Sequence, residues 1–153
     1  MVGTISRSWG GRSVDILFVD IKEPQLWTTK RSRLWFGEKS RIVAGPQLCI
    51  QRFVSLLLTR RGTAINPELG SDFLEAAMTG RIRTESSLRD YFALSVSQTI
   101  GQVNSQAVRA DERMASAVLE DAEVERQRIS MRIRLTTEAG DSVTFLAPLE
   151  RPV

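Results

Sequence analysis

GPQLCIQRFVSLLLTRRGTAINPELGSDF, residues 45–73, reads as an apolar helix, a glycine turn, an Asn-Pro step, a second glycine and the start of another helix. Residues 44–58 allow about four helical turns, and Pro46 stands at the start, where a missing N–H costs nothing. Cys49, Phe53, Leu56 and Leu57 recur at helical spacing, with Gln47, Gln51, Arg52 and Ser55 between them as polar positions. One face is therefore expected to be buried. Arg60 and Arg61 are expected in the last turn, where cations complement the helix dipole, with Gly62 as the left-handed cap. Pro67 forces Asn66 out of helical geometry, and Gly70 offers a second turn. Ser71 or Asp72 then caps a helix running through Met78 to Gly80. From the residues alone this is a helix-loop-helix corner.

Working outward, the next element is a long helix capped by Thr84 or Ser86. It carries Leu88, Phe92, Val96, Ile100, Val103 and Ala107 at spacings of three and four. It is expected to pack on the first helix, with Gly101 marking close approach of another backbone. Its other side, with Ser95, Ser97, Gln98, Gln102, Asn104 and Gln106, is poor in charge, which suits either a hydrogen-bonding protein contact or a plain exposed face. The C-terminal third has strand chemistry. Residues 118–126 form a first strand. In ISMRIRLTT, residues 129–137, Ile129, Met131, Ile133 and Leu135 alternate with Ser130, Arg132, Arg134 and Thr136. Residues 138–141 are a glycine-containing turn. Ser142 to Leu146 returns with Val143 and Phe145 on its apolar face, and Pro148 and Pro152 are expected to forbid much beyond it. The fold class is therefore α+β: helices packed on one face of a small antiparallel C-terminal sheet.

Residues 1–13 read as an arm that could order on a partner through Trp9. Asp15 to Ile21 is a strand ended by Pro24, and Gln25 to Phe36 a second extended piece, giving an additional N-terminal strand pair. The organisation expected is an extension, 1–40, that docks the protein, followed by an α+β domain, 41–153. A chain of 153 residues can bury a real core. Eighteen acidic residues offset most of the 21 basic ones, leaving a net charge of +3. Lysine occurs only at Lys22, Lys30 and Lys39, and an arginine bias suits carboxylate partners as much as phosphates. With no histidine and Cys49 the sole cysteine, a Cys/His zinc site, a disulfide framework and a His-assisted nucleophile are excluded. No cofactor or metal is expected. No stretch is long enough to span a membrane, and no apolar signal core opens the chain.

The run LLTRRGTAINPELGSDFL resembles the hallmark of the sheath-initiator family, small baseplate wedge proteins of contractile phage tails with counterparts in type VI secretion baseplates. Leu57, Leu58, Thr59, Gly62, Pro67 and Gly70 fill the family's places, and the resemblance covers roughly residues 40–147. It implies a structural, non-enzymatic protein of the virion tail baseplate, assembled in the host cytoplasm. Its partners would be the tail sheath protein and wedge proteins, with tube or hub proteins beyond them, and about six copies would be present per baseplate. Asp111 and Arg113 correspond to the acid and base of a Glu-Pro-Arg segment that holds the subunit to the wedge, with Glu112 replacing the proline. The terminal sheet is similar to the strand-exchanging domain of sheath subunits. Its residues Met131, Arg132, Ile133, Arg134, Leu135, Val143 and Phe145 are thus the expected sheath contact, and an exposed strand edge would accept the sheath's extended arms. On that expectation, a proline or charge at Ile133 or Val143 leaves baseplates that cannot grow sheath.

The sequence offers two other classes of function. Glu68 and Asp72 could form a hydrolase pair, but four residues apart across a helix start they are better explained as acids favoured by the dipole. Trp27 and Trp35 around Lys30, Arg31 and Arg33 resemble a basic patch with flanking aromatics, so the Trp27–Arg41 segment gives an alternative nucleic-acid-binding function. The same pattern suits a hairpin with a solvated basic edge that discourages strand pairing, and nucleic acid is the less favoured partner.

Overall fold

Among the described residues, three helices come before three long strands. The computed structural model describes residues 43–152 in full, together with the backbone of residues 15–16, 20–22, 33–35 and 42. The helices are α1 (Pro46–Leu57), α2 (Phe73–Met78) and α3 (Glu85–Gln106). A 3-10 turn, Ala110–Glu112, leads into the sheet. Toward the N-terminus lie β1 (Asp15–Ile16), β2 (Asp20–Lys22), β3 (Arg33–Trp35) and β4 (Ile42–Val43); the long strands are β5 (Met114–Val124), β6 (Arg128–Thr137) and β7 (Ser142–Glu150). The last three form an antiparallel meander in the order β7-β6-β5. The fold is α+β, as the sequence implies.

α1 is the central helix. Leu48, Cys49, Ile50, Phe53, Val54, Leu56 and Leu57 are all buried, and so is Gln51, which the polar pattern had placed outside. A helix apolar on nearly every side must lie inside, and here α3 and the sheet enclose it. The helix ends at Leu57 with no basic residue in its last turn. Arg60, Arg61 and Gly62 therefore belong to the loop and do not cap the helix.

α2 is joined to α3 by the edge-to-face contact of Phe73 and Phe92, with ring centroids 6.2 Å apart. Ser71 rather than Asp72 supplies its capping oxygen, accepting from Phe73 N at 3.3 Å. α3 starts with a capping box: Thr84 Oγ1 accepts from Ser87 N at 3.2 Å, while Ser87 Oγ accepts from Thr84 N at 3.1 Å. Its core face is Leu88, Phe92, Val96 and Val103, but Ser95 and Thr99 are buried as well, Thr99 donating to Ser95 O at 2.7 Å. Arg52 of α1 donates to Gln106 O at the helix's C-terminal end, where a cation is favoured.

Gly101 does not mark close approach, because a Cβ built there meets nothing within 4 Å. An exposed glycine inside a helix costs about 0.5–1 kcal/mol relative to alanine. Gly101→Ala is accordingly expected to raise the thermal midpoint by roughly 1–4 °C. A calorimetric scan showing a lower midpoint would mean that the position is occupied by something the open space does not reveal.

In the sheet, Ile129, Met131, Ile133 and Leu135 of β6 face the helices, at most 1% exposed. β5 begins at Met114, four residues earlier than the alternation suggested, because its register shifts between Met114 and Ser116 and again between Leu119 and Asp121. Such bulges put Met114, Leu119 and Ala122 on the core side at irregular spacing. β7 continues to Glu150, straight through Pro148. Thr137 N donates to Asp141 O and Arg151 N to Gln127 O, each at 2.8 Å, and both pairs fall on the β6–β7 register. Bonded and non-bonded pairs alternate in an antiparallel ladder, so Pro148 opposite Ser130 sits where its nitrogen points away from β6. A proline there removes no ladder bond.

The N-terminal strands β2 and β3 pair antiparallel, and β3 joins β7 in parallel at Leu146. Residues 20–22 and 33–35 thus contribute to the same five-stranded sheet as the main domain. β1 pairs separately with β4, so the single strand expected over residues 15–21 is two short ones in different sheets. The arm, Trp9, Pro24, Trp27, Lys30 and Arg31 lie outside the described residues.

Candidate functional site

The stretch carrying the family resemblance folds as a hydrogen-bonded loop between α1 and α2. Leu57 closes the buried face of α1, and Leu58 is its half-buried C-cap. Thr59 Oγ1 donates to Ser55 O at 2.6 Å. The two ends of the loop are zipped together, with Ser71 N donating to Thr59 O at 2.9 Å and Arg61 N to Ser71 O at 3.4 Å. Inside that zipper Gly62 N donates to Pro67 O at 3.1 Å, Leu69 N to Asn66 O at 3.1 Å, and Glu68 N to the Asn66 side chain at 3.0 Å. The Ser71 hydroxyl reaches back to Leu57 O at 2.7 Å.

α3 clamps the loop from outside. Gln102 Oε1 accepts from Gly70 N and Gln102 Nε2 donates to Gly70 O, both at 3.0 Å, so one side-chain amide pairs with one backbone residue as a neighbouring strand would. Gln98 Oε1 accepts from Arg61 at 3.0 Å. The charge-poor side of α3, read as a surface for another protein, is thus partly engaged within the chain. The signal was the spacing of four between two amides on one helix face, which can clamp one loop. Glu68 is exposed in this loop and Asp72 is exposed at the start of α2.

The 3-10 turn packs against the start of α1. Gly45 has φ +63°, and a Cβ there would lie 3.2 Å from Asp111 Oδ2, which places this carboxylate at the positive end of the α1 dipole. Asp111 also pairs with Arg109 at 3.5 Å, and Arg113 with Glu138 at 3.0 Å. Asp111 and Arg113, the expected wedge contact, therefore have partners inside the chain. Glu112, standing in place of the proline, is fully buried; its Oε2 accepts from Val108 N at 3.2 Å while Glu112 N donates to Arg109 O at 3.0 Å. A buried carboxylate fastens the turn.

Beside these acids lies Cys49, also fully buried. Burial pushes its thiol up from 9.0 to about 12; Arg52 pulls it down, and Glu112 and Asp111 push it further up. At neutral pH it is a packing residue rather than a nucleophile. Alkylation at pH 8 is expected to track global unfolding, and rapid labelling of the folded protein would refute the burial. The raised value also fixes a sign. The thiol's contribution to stability is whole below pH 9 and is lost as pH climbs toward 12, because only the unfolded chain releases the proton there. The stability difference between the protein and Cys49→Ala should narrow over that window.

The two long edges of the meander differ. On β5, Asn104 of α3 accepts from Met114 N at 2.7 Å and donates to Met114 O at 3.0 Å, and Arg89 donates to Leu119 O at 3.0 Å. With its two register shifts, this edge is guarded against further pairing. β7 instead pairs with β6 on one side and takes β3 at Leu146 on the other. Comparisons with protein-family models, curated proteins and solved structures return no match.

Of the residues expected to meet the sheath, Met131, Ile133, Leu135 and Phe145 are core, at most 1% exposed, and β6 is the middle strand of the meander with no free edge. They shape the sheet without offering a contact. Val143 is half-buried opposite Leu135. Arg132 and Arg134 lie on the outer face, paired with Asp121 at 3.8 Å and Glu120 at 3.3 Å. That face carries a cavity of about 300 Å³, lined among others by Arg128, Arg132, Glu123 and Pro148. Of the alternative basic segment, Trp27–Arg41, only the backbone of residues 33–35 is described, as strand β3.

Proposed function

We propose that the protein is a structural component of a contractile-tail baseplate, docked on the wedge, that templates the first ring of sheath subunits by accepting an extended strand at the edge of its C-terminal sheet. The observation that supports this reading is the asymmetry of the meander: β5 is closed by Asn104, Arg89 and its bulges, while the outer side of β7 is paired, among the described residues, only with β3 at Leu146. The motif resemblance over Leu57–Gly70 supplies the class of machine. In β-augmentation the main chain provides affinity, and a preformed edge lowers the ordering cost of the arriving arm. The contact accordingly moves from the β6 side chains to the backbone of residues 142–145, ahead of the Leu146 pairing with β3, and no chemistry on a substrate is involved.

The experiment combines the purified protein with candidate sheath and wedge proteins encoded by neighbouring genes and images the products by negative-stain electron microscopy, with a salt-titrated DNA-binding assay alongside. Ordered sheath that grows only when this chain is present is the expected result. DNA binding that falls steeply with salt, with no effect on sheath, would move the function to the basic N-terminal segment.

A further inference from the structure

Arg151, just beyond β7, ties together two segments that are distant in the chain. Its backbone N donates to Gln127 O at 2.8 Å, while Nη1 donates to Ile82 O at 2.7 Å and Nη2 to Glu125 O. One guanidinium thus holds residues 81–83 against the turn between β5 and β6, and it does so through carbonyl oxygens, which leave its charge unneutralised. Ile82 is fully buried between Arg81 and Arg83, both exposed, and Gln127 lies between Arg126 and Arg128, also exposed. Arg83 is fastened at its base, Nε donating to Gly80 O at 3.0 Å and the backbone N to Ser87 Oγ at 3.1 Å. Arg60, Arg89, Arg109, Arg113, Arg132 and Arg134 each reach a carboxylate of the chain, at 2.7–3.8 Å. Arg81, Arg83, Arg126, Arg128 and Arg151 form no such pair among the described residues, although Glu150 stands opposite Arg128 in register.

We infer that this end of the molecule is a docking surface for an acidic protein segment, a run of Asp and Glu side chains. Gathering like charges in one place is unfavourable for the chain alone, and an anionic partner relieves it. The planar guanidinium fork fits carboxylate and phosphate alike, and two features decide between them. Glu123, Glu125 and Glu150 stand among these arginines, so a continuous phosphate chain would run against them, whereas a protein face can place a base opposite each. No aromatic ring interrupts residues 81–83, 125–128 or 151, so the bases of a single strand would have nothing to stack on there. Arg151 fixes the two segments before a partner arrives, which lowers the ordering cost of association. The surface lies at the Glu150 end of β7, away from residues 142–145. It does not use the strand edge, and the inference stands apart from the baseplate reading.

The test follows a fluorescein-labelled oligoglutamate peptide by anisotropy as the full chain is titrated in at low salt. Saturable binding is expected, and Arg126→Gln/Arg128→Gln and, on the other segment, Arg81→Gln/Arg83→Gln should each weaken it at least about tenfold. Arg132→Gln/Arg134→Gln removes the same net charge from arginines already paired with Asp121 and Glu120, and should change binding less than about twofold. The first two variants should melt with the parent, since the side chains removed are exposed and make no ion pair. The absence of saturable binding by the parent protein would overturn the inference, and so would an equal loss in all three double variants, which would reduce the effect to net charge. Tighter binding of a single-stranded DNA oligonucleotide than of the peptide, lost with the same arginines, would overturn the acidic-protein assignment. Sheath growth enters none of these readouts, so their failure leaves the templating role where it was.

Discussion

Gly70→Ala is expected to destabilise the protein by about 3 kcal/mol, lowering the thermal midpoint by roughly 6–12 °C. Gly70 has φ +104°, which alone costs a residue with a Cβ about 1–2 kcal/mol. The larger effect is steric. The added carbon would lie 2.4 Å from Thr59 O, 3.1 Å from Thr59 C and 3.2 Å from Arg60 C, all backbone atoms that cannot rotate aside. Thr59 O is held in place by Ser71 N, so relief requires opening the zipper and releasing the Gln102 clamp. Gly62→Ala isolates the two terms, because Gly62 has φ +84° but no atom within 4 Å of a built Cβ. It should cost about 1 kcal/mol. Urea melts in which the two variants lose the same stability would show that the close approach at Gly70 has no energetic weight.

The residues differ in how plainly they announce this architecture. β6 was legible because Ile129, Met131, Ile133 and Leu135 alternate without interruption and every one is core. The Thr84 cap and the face through Leu88, Phe92, Val96 and Val103 were legible for the same reason, a period matching an element. β5 was legible only from Val118 onward, since two register shifts break its alternation and its first four residues carry no signal of their own. Gln51 misled because polarity predicts exposure only where a helix has a solvent side, and α1 has almost none. Pro148 misled because a sequence does not say which way a strand nitrogen points. The loop's turns could be read from Pro67 and Gly70, but its rigidity comes from Gln102, 32 residues further on, and no local pattern encodes such a pair. The N-terminal strand pair exists in β2 and β3, while its attachment to β7 is a long-range pairing.

Register also decides how the sheet edge should be tested. Proline at Ile133 would strike a fully buried residue of the middle strand, and proline at Val143 falls at a bonded position opposite Leu135. Either change damages the fold, and loss of sheath would then say nothing about the edge. Counting from the bonded pairs Thr137–Asp141 and Gln127–Arg151, the nitrogens of Ser142, Thr144 and Leu146 point away from β6, as that of Pro148 does. Thr144→Pro removes one outward donor and no β6–β7 bond, so the protein should stay folded with a stability loss of about 1–2 kcal/mol. Sheath growth from reconstituted baseplates is expected to fall at least tenfold, since a strand arriving at β7 bonds through these groups. Thr144→Val is the control: it changes the side chain and keeps the donor, and should nucleate sheath as the parent does. A folded Thr144→Pro protein that still starts normal sheaths would remove the β7 edge from the mechanism. If the proline and valine variants lose activity equally, the side-chain face is recognised instead of the backbone. Leu146, already paired with β3, sets the limit of any added strand, and Pro148 beyond it has no donor to offer.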